Sequence, residues 1–201
     1  MNITITLTVN GRRISRSAGG HFTLLRWLRE LADVTDPKYG CGEGICGACA
    51  VLVDDVPVSS CLVLAAQVDG SSITTAAGLA EPDGSLGPLQ RAFHEHHAAQ
   101  CGFCTPGMLI AAAAMTADGR PRSRAEIRAG LHGNLCRCTG YGPIVDAVEA
   151  AQKTAHHAGT PVSSAAAADH GTAAGAADHG TAAGAADHGT AAGAASRGAG
   201  R

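Results

Sequence analysis

The stretch that decides the fold of this chain is Gly40-Cys41-Gly42-Glu43-Gly44-Ile45-Cys46-Gly47-Ala48-Cys49. Three thiolates this close together converge on one inorganic centre only when the backbone wraps that centre tightly. The four glycines of the stretch permit positive φ and close approach at points where a Cβ would collide. The stretch therefore predicts a loop that binds metal through cysteine.

The eight cysteines of the chain divide into two sets of four. The first set consists of Cys41, Cys46, Cys49 and Cys61. Its C-x4-C-x2-C spacing with a more remote fourth thiolate is the plant-type ferredoxin pattern. Zinc sites usually show paired C-x2-C units instead. The spacing of the first set therefore favours a [2Fe–2S] cluster. The second set consists of Cys101, Cys104, Cys136 and Cys138. On spacing alone, zinc remains an alternative for this second set.

The rest of the composition narrows the classes of protein that fit. A net charge of −2 over 201 residues gives no basic surface for nucleic acid and no polybasic membrane patch. No apolar run reaches the length of a membrane span, and the segment Met1-Asn2-Ile3-Thr4-Ile5 does not resemble a secretory signal. We therefore expect a cytoplasmic protein, associated with a membrane only through a larger complex, whose cysteines bind metal rather than form disulfides.

The N-terminal part of the chain predicts a small sheet and one helix. The predicted strands are residues 3–9, 12–15, 50–53, 56–59 and 72–75. Isoleucine, leucine and valine alternate with threonine in the first strand, and Asn10-Gly11 predicts a hairpin turn after it. Asp54-Asp55 predicts a second turn. Thr23 is the expected N-cap of the one helix, which begins directly after Thr23.

The following part of the chain predicts four helices. They are residues 86–97, 105–116, 123–131 and 143–153. Thr105 before Pro106 predicts an N-cap, and Ser123 to Glu126 forms a capping box. Residues 81–87 contain Pro, Asp and Gly, which indicates a connector between the sheet and the helices.

The C-terminal segment differs in kind from the rest. The sequence Asp-His-Gly-Thr-Ala-Ala-Gly-Ala-Ala occurs three times, at residues 169–177, 178–186 and 187–195. Each repeat lacks the large apolar residue that a solenoid coil would bury, and its glycine disfavours helix. We therefore expect residues 158–201 to be a disordered Ala/Gly-rich tail, in which nothing fixes the repeat histidines as metal ligands.

Three motifs, taken in order, carry a resemblance to one protein family. The first is residues 40–49, quoted above, and the other two are Gln100-Cys101-Gly102-Phe103-Cys104-Thr105-Pro106-Gly107-Met108 and Gly133-Asn134-Leu135-Cys136-Arg137-Cys138-Thr139-Gly140-Tyr141. Together they closely resemble the small iron–sulfur subunit of the xanthine oxidase family of molybdenum hydroxylases. That family includes aerobic carbon monoxide dehydrogenase, xanthine and aldehyde dehydrogenases, and the oxidoreductases of N-heteroaromatics. The resemblance covers roughly residues 3–152 and all eight cysteines.

The resemblance implies an α+β chain with one cluster in each of two domains. Residues 1–80 would form a ferredoxin-like β-grasp domain that holds a [2Fe–2S] cluster on the first cysteine set. Residues 81–157 would form a four-helix-bundle domain that holds a second [2Fe–2S] cluster on the second set. The disordered tail, residues 158–201, lies outside the family pattern.

The resemblance also implies a role in electron transfer without catalysis by this chain. A large partner subunit would carry molybdopterin, expected as the cytosine dinucleotide, and a medium subunit would carry FAD unless another acceptor replaces it. Single electrons would pass from the second cluster to the first. The expected assembly is a dimer of heterotrimers, and its substrate stays open between carbon monoxide, an aldehyde, a purine and an N-heterocycle.

Individual residues carry further expectations from the resemblance. Gln100 matches a family glutamine that approaches the pterin, and Cys138 matches the ligand nearest to that pterin. His132 and Gly142 depart from the family pattern on either side of the third motif. Arg137 fits either a charge that eases reduction of the second cluster or a surface salt bridge.

Two other classes of protein remain as alternatives. A free ferredoxin-like carrier would need only one cluster and no second cysteine motif. A zinc-bound structural module would be colourless, whereas an iron–sulfur protein is red-brown.

Overall fold

The computed structural model describes residues 2–158, in which a five-stranded sheet precedes a group of helices. The strands are β1 Asn2–Val9, β2 Arg12–Gly19, β3 Ala50–Val53, β4 Val56–Ser59 and β5 Ser72–Thr74. Their order in the sheet is β2-β1-β5-β3-β4, in which β1 and β5 run parallel and the other neighbours run antiparallel.

Alternation of side chains explains the first hairpin. Ile5, Leu7 and Val9 are buried on one face of β1, as the period-two pattern predicts. The turn residues Asn10 and Gly11 adopt φ of 48° and 77°, which the Asn-Gly pair tolerates. The return strand β2 extends to Gly19, beyond the predicted residue 15, because its pairing follows β1 back to Asn2.

The first helix packs against the inner face of the sheet. Thr23 accepts a hydrogen bond from the backbone N–H of Arg26, so the predicted N-cap is confirmed. α1 spans only Leu24–Arg26 and continues as a π-helical turn, Trp27–Leu31. Leu24, Trp27 and Leu28 are fully buried with the apolar face of β1 in one core.

Four helices follow the sheet, as predicted. They are α2 Pro88–Glu95, α3 Thr105–Thr116, α4 Arg124–Gly130 and α5 Gly142–Ala158. The prediction of Thr105 as the N-cap of α3 is wrong, because Cys104 occupies that position. The carbonyl of Cys104 already accepts a hydrogen bond from the N–H of Met108 at 3.0 Å. The i to i+4 hydrogen bonds of α3 therefore begin one residue before Thr105.

The helices enclose a second apolar core. α3 is buried on nearly every side, and Met108 and Ile110 pack with Ile127 of α4 and Val148 of α5. Leu52 of β3 belongs to the same core, so α3 lies against the sheet. The N-terminus of α4 has the predicted capping box, in which Ser123 accepts from the N–H of Glu126.

Within residues 2–158, no helix is both long and apolar enough to cross a lipid bilayer. The residues after Ala158 lie outside the part of the chain that the structure describes. The expectations of a disordered tail and of three unstructured repeats fall on these residues.

Candidate metal centres

The first cysteine set lies where the chain passes from the π-helical turn into β3 and out of β4. Three backbone N–H groups point at Cys41 Sγ, from Glu43 at 3.3 Å, Ile45 at 3.4 Å and Cys46 at 3.4 Å. N–H groups aimed at a sulfur stabilise its negative charge. The predicted wrapping of the loop around anionic sulfur is therefore present in the backbone.

Two glycines show why the loop needs residues without a Cβ. A Cβ on Gly40 would lie 2.7 Å from Cys46 Sγ, although the φ of Gly40 is not positive. Gly47 has a φ of +68°, and a Cβ there would lie 2.4 Å from the carbonyl oxygen of Gly133. Gly40 is therefore required because neighbouring atoms leave no room for a Cβ. Gly47 is required both for that reason and because its φ is positive.

The first set has an exposed end and a buried end. Cys41 is exposed, and hydrogen bonds from the backbone N–H groups of Glu43 and Cys46 lower the pKa of its thiol to about 6. Cys49 and Cys61 are buried, and burial raises the pKa of Cys61 to about 11. A buried thiol of this kind becomes a thiolate when a cation compensates for its lost hydration.

The second set repeats this division between exposed and buried thiols. Cys101 and Cys138 are exposed with their Sγ atoms 3.6 Å apart, and the N–H of Phe103 lowers the pKa of Cys101. Cys104 and Cys136 are half-buried, and burial raises the pKa of Cys104 to about 12.

The thiols of each set interact in pairs. The pairs are Cys41 with Cys46, Cys49 with Cys61, Cys101 with Cys138, and Cys104 with Cys136. Two thiolates on each of two irons is the ligand arrangement of a [2Fe–2S] cluster. Among residues 2–158, no group of three or more His, Cys, Asp or Glu side chains is placed to hold a metal ion. The fit to two binuclear clusters rests on the four thiol donors that each set supplies.

Direct contacts join the two cysteine loops. The N–H of Leu135 donates to the carbonyl of Cys46 at 2.9 Å. The side chain of Asn134, only 6% exposed, donates to the carbonyl of Gly47 at 3.1 Å. The sequence analysis gave Asn134 no role, because no local pattern reveals a partner 87 residues away.

Tyr141 and Thr139 organise the loop of the second set, and the sequence analysis gave neither a role. The hydroxyl of Tyr141 accepts from the N–H of Cys136 at 3.0 Å and donates to the carbonyl of Asn134 at 3.3 Å. Thr139 contacts Cys136 Sγ through its hydroxyl at 3.1 Å and through its N–H at 3.4 Å. Their places in the Gly133–Tyr141 motif are the available sequence signal.

The remaining predicted site residues lie at the surface. Gln100 is exposed directly before Cys101, on the open side of the second set. Arg137 is also exposed, and none of the ion pairs among residues 2–158 includes it. His132 is exposed, and Gly142 begins α5 at a half-buried position where an added Cβ would meet no atom within 4 Å.

Comparisons with known proteins agree with this geometry. Residues 7–78 match the family described as 2Fe-2S iron-sulfur cluster binding domain, and residues 75–149 match the [2Fe-2S] binding domain. The small subunit of nicotine 6-hydroxylase from Paenarthrobacter nicotinovorans is 48% identical over 146 residues, which are 73% of this chain and 87% of that subunit. The chain belongs to the iron–sulfur subunits of the molybdenum hydroxylases.

Further relatives of this iron–sulfur subunit match about three quarters of the chain over nearly their whole length. The iron-sulfur-binding subunit of xanthine dehydrogenase from Escherichia coli O157:H7 is 47% identical, over 76% of this chain and 96% of that subunit. The crystal structure of quinoline 2-oxidoreductase from Pseudomonas putida 86 matches with a TM-score of 0.74 and 42% identity, over 78% of this chain and 97% of that one. The expected family, its two cluster-binding domains and its role as an electron-transfer subunit are confirmed.

Proposed function

We propose that this iron–sulfur subunit holds two [2Fe–2S] clusters in series and passes single electrons between two partner subunits. The first cluster takes Cys41, Cys46, Cys49 and Cys61 as its ligands. The second cluster takes Cys101, Cys104, Cys136 and Cys138. When bound, each cluster supplies a one-electron centre whose potential depends on burial, charge and hydrogen bonds to sulfur. The observation that carries this proposal is the pair of cysteine loops, in which backbone N–H groups donate to Cys41 Sγ and Cys136 Sγ and the Sγ atoms of Cys101 and Cys138 lie 3.6 Å apart.

Electrons enter at the exposed pair of the second set. Cys101 and Cys138 are both exposed, and exposed Gln100 lies beside them. The amide of Gln100 offers donors and an acceptor to the edge of a pterin on the large subunit. Both thiols of this pair lie on the open side, and the family resemblance of the third motif leads us to assign Cys138 as the ligand nearest that pterin.

The hydrogen bond between the two loops supplies the connection between the clusters. Leu135 precedes the ligand Cys136, and its N–H donates to the carbonyl of the ligand Cys46 at 2.9 Å. Electrons therefore cross one hydrogen bond and two short stretches of backbone. They leave through the first set, where Cys41 is exposed, to FAD on a medium subunit or to another acceptor.

Exposed apolar side chains around the cysteines support burial by partner subunits. Ile45 is 62% exposed, Phe103 48% and Leu135 54%, and each lies beside a cysteine in the chain. A partner subunit that covers the cysteine loops would bury these side chains, as happens where contiguous exposed apolar surface marks a protein interface. We assign this surface to the large and medium subunits in a cytoplasmic dimer of heterotrimers.

We also assign the boundaries of two domains and a substrate class. Residues 1–80 correspond to a β-grasp domain and residues 81–157 to a four-helix domain, and each segment supplies most of one apolar core, while Leu52, Ala76 and Leu79 of the first segment pack into the helical core. The names of two relatives are nicotine 6-hydroxylase and caffeine dehydrogenase, and a third relative belongs to xanthine dehydrogenase. An N-heteroaromatic compound is therefore the favoured substrate of the complex.

Purification through a tag on this chain tests the proposed function. We expect a red-brown complex with about four irons per copy of the chain, a molybdenum-containing large subunit, and bleaching by nicotine, xanthine or quinoline but not by an aliphatic aldehyde. A coloured chain without molybdenum would favour the free carrier instead. A colourless chain that contains zinc would favour the structural module.

A further inference from the structure

One side chain other than cysteine hydrogen-bonds to a cysteine sulfur among residues 2–158, and it is that of Thr139. The other donors to cysteine sulfur there are backbone N–H groups and the neighbouring thiols of the same cysteine set. Backbone donors are retained in any substitution that keeps the fold. Thr139 is therefore the point at which a side chain adjusts the electrostatics of a cluster ligand.

Thr139 Oγ1 has two hydrogen-bond partners. The N–H of Tyr141 donates to this oxygen at 3.1 Å. Cys136 Sγ lies 3.1 Å from the same oxygen, and in the free thiol either atom can be the donor of that bond. A thiolate bound to iron has no proton of its own, so in the loaded protein the threonine must be the donor.

The surroundings keep this donor in place. Thr139 and Cys136 are both half-buried, and the N–H of Thr139 makes a second contact with the same sulfur at 3.4 Å. Tyr141 fixes the loop from its other side, because its hydroxyl binds the N–H of Cys136. The hydroxyl and the N–H of Thr139 are therefore both in position at the Cys136 sulfur, and the loop does not have to move to bring them there.

We propose that the Thr139 hydroxyl sets the reduction potential of the second cluster by donating a hydrogen bond to Cys136 Sγ. This inference rests on the proposed function, in which Cys136 is a ligand of that cluster. Reduction adds one electron to the cluster without breaking a bond, so the sulfur becomes more negative. A hydrogen bond to that sulfur is then stronger in the reduced state and raises the potential. The hydroxyl makes the second cluster a better acceptor of the first electron.

Redox titration of the full complex, followed by electron paramagnetic resonance, tests this inference. Thr139→Val removes the hydroxyl and keeps the shape, whereas Thr139→Ser keeps the hydroxyl. We expect Thr139→Val to reduce the ratio of reduced to oxidised second cluster at a fixed solution potential by about three- to tenfold, the weight of one hydrogen bond. Thr139→Ser should stay close to wild type. The first cluster, titrated in the same sample, is the internal control and should not shift.

The outcomes separate this inference from the proposed function. If wild type lacks a second [2Fe–2S] signal, the proposed function itself fails. If both signals are present and Thr139→Val leaves the second potential unchanged, only the role of the hydroxyl is overturned. If Thr139→Val and Thr139→Ala both lose the second cluster, the inference is also overturned, because Thr139 would then hold the loop rather than set a potential.

Discussion

The close approach of α3 to the first cysteine loop can be tested by adding one methyl group. Gly107 is the third residue of α3, and a Cβ on it would lie 2.1 Å from the carbonyl oxygen of Gly47 and 3.0 Å from Asn134 Nδ2. That carbonyl is held in place by the N–H of Ala50 and by Asn134, each at 3.1 Å. In Gly107→Ala the two backbones must therefore separate by about 1 Å to restore van der Waals contact.

The cost of this separation exceeds the benefit of alanine in a helix. Forcing a methyl group into a packed interior costs about 1–3 kcal/mol, and the strained Asn134–Gly47 hydrogen bond adds about 1 kcal/mol. Alanine recovers up to about 1 kcal/mol through its helix propensity. We expect a net loss of about 1–3 kcal/mol in the free energy of unfolding, with Gly107→Ala less stable than wild type.

Unfolding of the cluster-loaded chain in urea, followed by loss of visible absorption, measures this effect. Because cluster loss is irreversible, the rate of bleaching is the appropriate quantity, and it should rise by up to about a hundredfold. Gly133→Ala is the matched control, since a Cβ there meets no atom within 4 Å and the residue lies in the facing loop. Equal bleaching rates for the two variants would refute the close approach of α3 to the first cysteine loop.

Further predictions concern the ligands, a helix cap and the tail. Cys138→Ser should disturb the second resonance signal and slow electron entry while the first signal stays, and Cys41→Ser should do the reverse; two unchanged signals would show that the ligands are assigned wrongly. Ser123→Ala should destabilise α4 by about 1 kcal/mol, measured as a lower urea midpoint. The backbone N–H of Ser123, followed by its hydroxyl, lowers the pKa of Glu126 from 4.5. The stabilisation by this carboxylate is therefore fully present above its unfolded pKa and is lost as pH falls through its lower folded pKa. The difference in urea midpoint between wild type and Ser123→Ala should accordingly be the same at about pH 7 and about pH 6. Deleting residues 160–201 should leave both signals and the partner subunits in place, and loss of the complex would contradict a dispensable tail.

Local signals in the sequence predicted most elements of the fold. Thr23 and Ser123 cap their helices as expected, because an N-cap depends on residues within one turn. The hairpins at Asn10 and Asp54 follow from residues that tolerate positive φ. The Cys-rich loop was predictable because the spacing of thiolates is set by the centre that they bind.

Other features depend on contacts that local sequence does not encode. The true cap of α3 is Cys104, because a proline is tolerated at either the first or the second helical position. The length of β2 was underestimated because this edge strand exposes Arg16 and Ser17, which breaks the apolar alternation. The bond from Asn134 to Gly47 joins loops far apart in the chain and required the fold itself.

The most direct test of the central claim is electron paramagnetic resonance of the purified complex after reduction with dithionite. Two distinct [2Fe–2S] signals, with about four irons per chain, are the result that two clusters in series predict. A single signal, or zinc in place of iron on either cysteine set, would contradict the account.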